Sequence, residues 1–180
     1  FVTHDQSEAM TLATTIAVMS EGQLQQVGTP NDIYDRPANR FVAQFVGNPP
    51  INIVELGNGK SEVSRLARQY LGERYAELGD AGSIGIRPEA LRLADAERGV
   101  AEGAFSGQAE VTGILPTGGS WIIELTAAGE KLFMTTHQSP EVEVGDAVTF
   151  WVKPKALHVF DAEGNRSGAA DRLFRPVKVH

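Results

Sequence analysis

The residues best placed to do chemistry stand at the start of the chain. Thr3-His4-Asp5 follows an apolar pair, Phe1-Val2, and runs into Gln6-Ser7-Glu8, the acidic opening of a helix. Helix N-termini carry unpaired amide donors and a partial positive charge, so a His beside one is placed to meet an anion. A neutral imidazole can donate from one nitrogen to a phosphate oxygen while the protein holds the other. Such a group senses a terminal phosphate but cannot bind it alone. The remaining histidines, His137, His158 and His180, show no His-x-x-x-His spacing, and cysteine is absent. Neither a metal site nor a disulfide is expected.

Two further constellations compete for attention. Gly59-Lys60-Ser61 lies between an extended segment and a helical one, the setting of a phosphate-binding loop. The full pattern needs glycine at position 54, which is Val54, and the loop would carry the repelling carboxylate of Glu55. A hairpin or a turn into a helix is the better reading. Gly85-Ile86-Arg87-Pro88-Glu89 places an Arg and a carboxylate on either side of a proline, and an Arg–Glu pair pinning that turn is expected.

These groups need elements to hold them. Ser7 to Ala13 reads as a helix after a strand ending at Val2; Ile16–Met19 and Gln23–Val27 alternate as a hairpin around Glu21-Gly22. Thr29-Pro30-Asn31-Asp32 starts a helix, with Thr as cap, Pro at the first position and Asp three residues on. Pro37 stops it, and Asn39 caps another in which Phe41, Val42 and Phe45 share a face. Asn48-Pro49-Pro50 is the expected boundary, giving domains of 1–47 and 48–180. Beyond it, Ile51–Leu56 is extended and Ser61–Leu71 is an amphipathic helix. Strands follow near Ser83–Arg87, Gln108–Leu115, Trp121–Thr126, Lys131–Thr135, Ala147–Val152 and Leu157–Phe160, with Gly118-Gly119-Ser120 as a hairpin turn. Short strands at this spacing indicate a small barrel or sandwich. A polar stretch after Asp161 and a frayed basic tail around Arg172–Pro176 close the chain.

Composition narrows the function. The chain has 180 residues, 42% of them hydrophobic, and a net charge of −7 from 23 acidic and 16 basic side chains. That is enough for one ordinary core, or a small domain with an appendage. No apolar run approaches the roughly 20 residues of a membrane-spanning helix. No basic stripe of the kind a nucleic-acid reader shows is present, so nucleic acid is not an expected partner.

The order of these residues resembles a known family. Phe1–Asn52, including Gln26-Val27-Gly28-Thr29-Pro30, Arg36-Pro37-Ala38-Asn39-Arg40-Phe41 and Asn52, is similar to the later part of the ATP-binding subunits of sugar-type ABC importers. Gly85-Ile86-Arg87-Pro88-Glu89 and Val144–Asp161 resemble the regulatory barrel of those subunits, a transport-associated OB module. The resemblance implies a mainly β chain with some α: an α/β remnant of the nucleotide-binding domain (1–47), then an OB-like regulatory domain (48–180). It identifies His4 as the switch histidine that reaches the γ-phosphate of ATP, and Gly85, Arg87, Pro88 and Glu89 as a regulatory or structural turn.

No four-apolar run followed by Asp-Glu and no Leu-Ser-Gly-Gly-Gln occurs, and Phe1 stands where an initiator Met would. The resemblance therefore implies a fragment, or a chain that lost its Met by processing. ATP and Mg²⁺ belong to the intact parent; this chain alone is expected to bind neither and to be inactive. Implied partners are a second copy and membrane permease subunits, with a regulatory protein or small ligand on the barrel. The implied location is cytoplasmic, at the inner face of the cell membrane, and the cargo is a sugar, glycerol-3-phosphate or another small solute. At Gly113-Ile114-Leu115-Pro116 the family's Glu-x-Leu-Gly is lost. An alternative is a stand-alone OB-like module for a small ligand or oxyanion. The apolar faces around Met10, Ile16–Met19 and Phe41 need cover, so a dimer or larger assembly, or an amino-terminal segment swapped or folded onto the barrel, is expected.

Overall fold

The computed structural model describes residues 1–57, 61–97 and 99–174. Asn58-Gly59-Lys60 of the glycine-rich turn, Arg98, and the end of the basic tail from Arg175 to His180 fall outside them. The first 47 residues fold as α1 (Gln6–Leu12), a hairpin of β1 (Ile16–Ser20) and β2 (Gln23–Gly28), α2 (Pro30–Asp35) and α3 (Arg40–Phe45). Both expected caps form. Thr29 and Asp32 make a reciprocal capping box at α2, and the Asn39 carboxamide accepts from Val42 N–H at 2.9 Å. Val18, Ile33, Val42 and Val46 build a small core here, with Met10, Ile16 and Tyr34 against it.

Phe1 to Asp5 form no strand, contrary to the expectation at Val2, because no neighbouring strand offers them a ladder. Instead the Asp5 carboxylate caps α1 by accepting from Glu8 N–H at 3.1 Å.

The second part contains β3 (Asn52–Glu55), α4 (Glu62–Arg74), β4 (Ala81–Ile86), β5 (Arg92–Leu93), β6 (Phe105–Pro116), β7 (Trp121–Ala127), β8 (Glu130–Thr136), β9 (Ala147–Val152), β10 (Leu157–Asp161) and α5 (Gly168–Phe174). Two antiparallel sheets form, in the orders β10-β4-β3 and β5-β9-β6-β7-β8. β6 is the hinge of the larger sheet. Its first half pairs with β9 and its second with β7, with a bulge between Val111 and Gly113 that lets the sheet curl. The chain is thus mainly β with some helix, and its curled antiparallel sheet is OB-like.

One continuous core fills the curl. Phe105, Phe150, Ile84, Ile123 and Leu125 are buried between the sheets, and Val63, Ala67 and Leu71 of α4 pack against them. Between Asp161 and Phe174 the chain is packed rather than frayed. Ala170 and Phe174 of α5 are buried, and Phe174 meets Tyr75 edge to face with ring centroids 4.8 Å apart.

Asn52 joins the two sheets. Its side chain donates to the carbonyls of Ile86 and Phe133, at 3.0 and 2.9 Å, and accepts from Phe133 N–H at 2.7 Å. One buried carboxamide therefore does for β3 and β8 what a backbone ladder would.

Candidate functional site

The structure separates the expected site residues into two places. His4 lies in the loop before α1, exposed, and its ring makes no hydrogen bond or ion pair among the described residues. Its neighbours are committed: Thr3 Oγ1 donates to Glu8 at 2.9 Å and accepts from Asp5 N–H at 3.0 Å. Gln6 Oε1 accepts from Gly47 N–H at 2.7 Å, which ties α1 to the end of α3. The loop is held, and the imidazole is left available.

Gly85, Arg87, Pro88 and Glu89 form the second place, where the two parts of the chain meet. Gly85 sits in β4, opposite Ile53 of β3 and His158 of β10. A Cβ there would stand 2.7 Å from Ile51 Cδ1 and 3.2 Å from the Phe160 ring, so a larger residue would have to displace these buried side chains. Pro88 opens a single 3₁₀ turn, Pro88–Ala90, that stops the strand and turns the next side chains back toward residues 34–46.

Arg87 is only 4% exposed. Its guanidinium donates to the carbonyls of Ala43 at 3.0 Å, Val46 at 2.7 Å and Tyr34 at 2.9 Å. The carbonyls of Ala43 and Val46 belong to the last turn of α3 and its C-cap, where a helix leaves acceptors unpaired and its dipole favours a cation. The same group lies over the Tyr34 ring, 4.0 Å from its centroid. Burial lowers the Arg87 pKa from its ordinary value, opposed by the neighbouring Tyr34, Glu89 and Asp35. An arginine stays protonated through such a shift.

Glu89 does not pair with Arg87, as the sequence reading expected. Its carboxylate accepts from the Tyr34 hydroxyl at 2.6 Å instead. The reason is geometric: the fork of Arg87 is already engaged by three carbonyls. Arg87 and Glu89 thus grip Tyr34 from both ends, and what looked like a self-contained turn is a clasp on α2 and α3.

Other contacts cross the same boundary. Arg40 N–H donates to Gly164 O and Arg166 N–H to Ala38 O, at 2.8 and 3.0 Å. Ala43 packs with Ile51 and Phe160 in a small apolar cluster. Asn48-Pro49-Pro50, with a cis bond before Pro49, is a linker between parts that are packed together.

Beside the clasp lies an open cleft of about 380 Å³. Tyr34, Asp35 and Arg36 line it from the α2 side, and Arg87, Glu89, Lys155 and His158 from the barrel side. His158 is buried and its Nδ1 faces Arg166 Nη1 at 3.1 Å; Arg166 in turn holds Asp171 through two 2.7 Å contacts. Sequence reasoning missed Arg36, Lys155 and His158 as neighbours of Arg87. Arg36 lies about 50 residues before Arg87 and Lys155 and His158 about 70 after it, and the pairing of β10 with β4 puts His158 opposite Gly85. Among the described residues no group of three or more acidic or imidazole side chains could hold a metal ion.

The span from β4 to β10 matches a family model. Residues 84–160 match the TOBE domain. An sn-glycerol-3-phosphate import ATP-binding protein of Agrobacterium fabrum is 35% identical over 167 residues, covering 92% of this chain and 46% of that protein. An alpha-glucoside transport ATP-binding protein of Rhizobium meliloti is 36% identical over 180 residues, with 91% and 46% covered. A trehalose/maltose import ATP-binding protein of Thermococcus litoralis is 35% identical over 170 residues, with 89% and 46% covered.

This chain corresponds to the carboxy-terminal part of the ATP-binding subunits of sugar-type ABC importers.

It spans under half the length of these relatives. The Arg87 clasp is therefore a contact between the TOBE domain and the stretch that precedes it. No helix among the described residues is long and apolar enough to cross a membrane.

Proposed function

We propose that this chain is the regulatory and dimerising part of the ATP-binding subunit of an importer for sugars or related small solutes. Residues 1–47 serve as the end of the nucleotide-binding domain, and residues 48–180 as the TOBE barrel. The observation that carries this reading is a similarity to importer ATP-binding proteins that extends over both parts, about nine-tenths of the chain. The clasp supports it, because parts that respond to one another need a rigid joint.

ATP and Mg²⁺ supply a terminal phosphate whose presence or loss can be read. The free, exposed ring of His4, on a loop fixed by Thr3, Asp5 and Gln6, fits the task of donating an N–H to such a phosphate. Holding the triphosphate takes backbone amides, a lysine and a metal site that His4 cannot replace. The residues here orient and sense; they do not hydrolyse ATP by themselves. Partners under this reading are a second copy and membrane permease subunits, which would place the protein at the inner face of the cell membrane.

The test is a chimera in which these residues replace the matching part of the Agrobacterium fabrum relative. The expected result is ATP hydrolysis comparable with the parent's. A chimera that folds and binds ATP but lacks hydrolysis would reject the assignment.

A further inference from the structure

We propose that the cleft beside the clasp binds a small hydroxylated metabolite carrying one anionic group, either a phosphate or a carboxylate. As a control point on transport the site rests on the function proposed above; as a binding site it does not. Its volume, about 380 Å³, is in the range of pockets that enclose small ligands.

The lining has the chemistry of two different ends. Arg36 and Lys155 are exposed and reach the cleft from opposite parts of the chain, and the guanidinium of Arg87 backs it. Among the described residues, Arg87 is a buried cation that no carboxylate meets at ion-pair distance, and its Nε–H has no hydrogen-bond partner. Three carbonyls and the Tyr34 ring meet this charge directly and Glu89 and Asp35 act on it from farther off, so its balance is set by the lining as a whole. Asp35 and Glu89 oppose this charge, which disfavours a bare multivalent anion. Carboxylates are strong acceptors for hydroxyl groups, so a polyol body beside them satisfies what an inorganic ion cannot. Three cations against two carboxylates leave one net positive charge, which matches one anionic group.

A ligand seated there touches α2 and the barrel together. Binding would tighten the joint that Arg87 makes, since a ligand stabilises the arrangement that presents both walls.

Calorimetric titration of the 180-residue chain at low salt tests this, with glucose 6-phosphate, gluconate, glucose and inorganic phosphate as probes. The expected result is saturable one-to-one binding of either anionic polyol, weakened about fivefold or more by Lys155→Gln and by Arg36→Gln. Lys131→Gln, a surface lysine paired with Glu124, is expected to leave it unchanged. Loss of binding in all three variants alike would mean unspecific charge attraction and overturn the proposal. So would equal binding of glucose or inorganic phosphate, or the absence of saturation with both anionic polyols. None of these outcomes depends on ATP hydrolysis.

Discussion

At the scale of single residues, the informative side chains are those whose partners lie far away in sequence. Tyr34 is half-buried, and its hydroxyl gives its proton to Glu89. Burial, then that hydrogen bond and the charge of Glu89, push its pKa well above the usual tyrosine range. Tyr70 is pushed the same way, chiefly by burial, and its hydroxyl donates to Gly103 O at 2.8 Å. Both groups keep their proton in the folded state at a pH where the unfolded chain releases it. Their contribution to stability is therefore full below about pH 10 and is lost as pH rises beyond it. An alkaline titration followed by tyrosinate absorbance should show Tyr34 and Tyr70 ionising together with unfolding. Ionisation of both near pH 10 while the fold persists would contradict these environments. Gly85→Ala should destabilise by about 1–3 kcal/mol in chemical denaturation, because Ile51 and Phe160 have to give way to the added methyl.

At the scale of elements, much was readable in advance because local rules suffice. The α2 capping box, the Asn39 cap, the β1–β2 hairpin and most barrel strands follow from cap chemistry, turns and two-residue alternation. Asn39→Ala should cost about 1–2 kcal/mol, since the carboxamide caps α3 and its amide also bonds Gln25. A loss below about 0.3 kcal/mol in a denaturation midpoint would refute the capping role. The strand expected at Val2 failed because alternation cannot reveal whether a partner is present. The helix α5 was missed because it is a single short stretch of seven residues, too brief to show a helical period, whose buried contacts are made by Ala170 and Phe174 with Ala169 beside them. Asn52 was quoted as part of a resemblance, and nothing local shows that it bridges two sheets. Asn52→Leu should destabilise by about 2–3 kcal/mol by orphaning the Phe133 N–H and two carbonyls.

At the scale of the whole molecule, Asn48-Pro49-Pro50 suggests a boundary in the sequence, while the contacts that Arg87 and Glu89 make with residues 34–46 were not legible there. Arg87 reads in sequence as half of a local ion pair with Glu89. In the structure both residues turn toward Tyr34 and the end of α3, a choice fixed by packing of Ala43 on Ile51 and Phe160. The apolar residues Met10, Ile16 and Val18 are covered by the first part's own small core, and Ala43 packs on Ile51 and Phe160 of the second part, while Phe41 stays partly exposed. Leu24, Met19 and Val27 still face outward on the hairpin. Arg87→Lys keeps the charge but not the planar fork, so it should loosen residues 34–47 before the barrel. Hydrogen exchange should rise there at least tenfold while β6 and β9 stay protected; uniform exchange across both parts would contradict a joint.

The most direct test concerns His4 and the tie to an importer ATPase. In the chimera with the Agrobacterium fabrum relative, ATP turnover should fall by roughly 100-fold or more on His4→Ala, with ATP affinity changed little. Turnover preserved in the His4→Ala chimera would contradict the account.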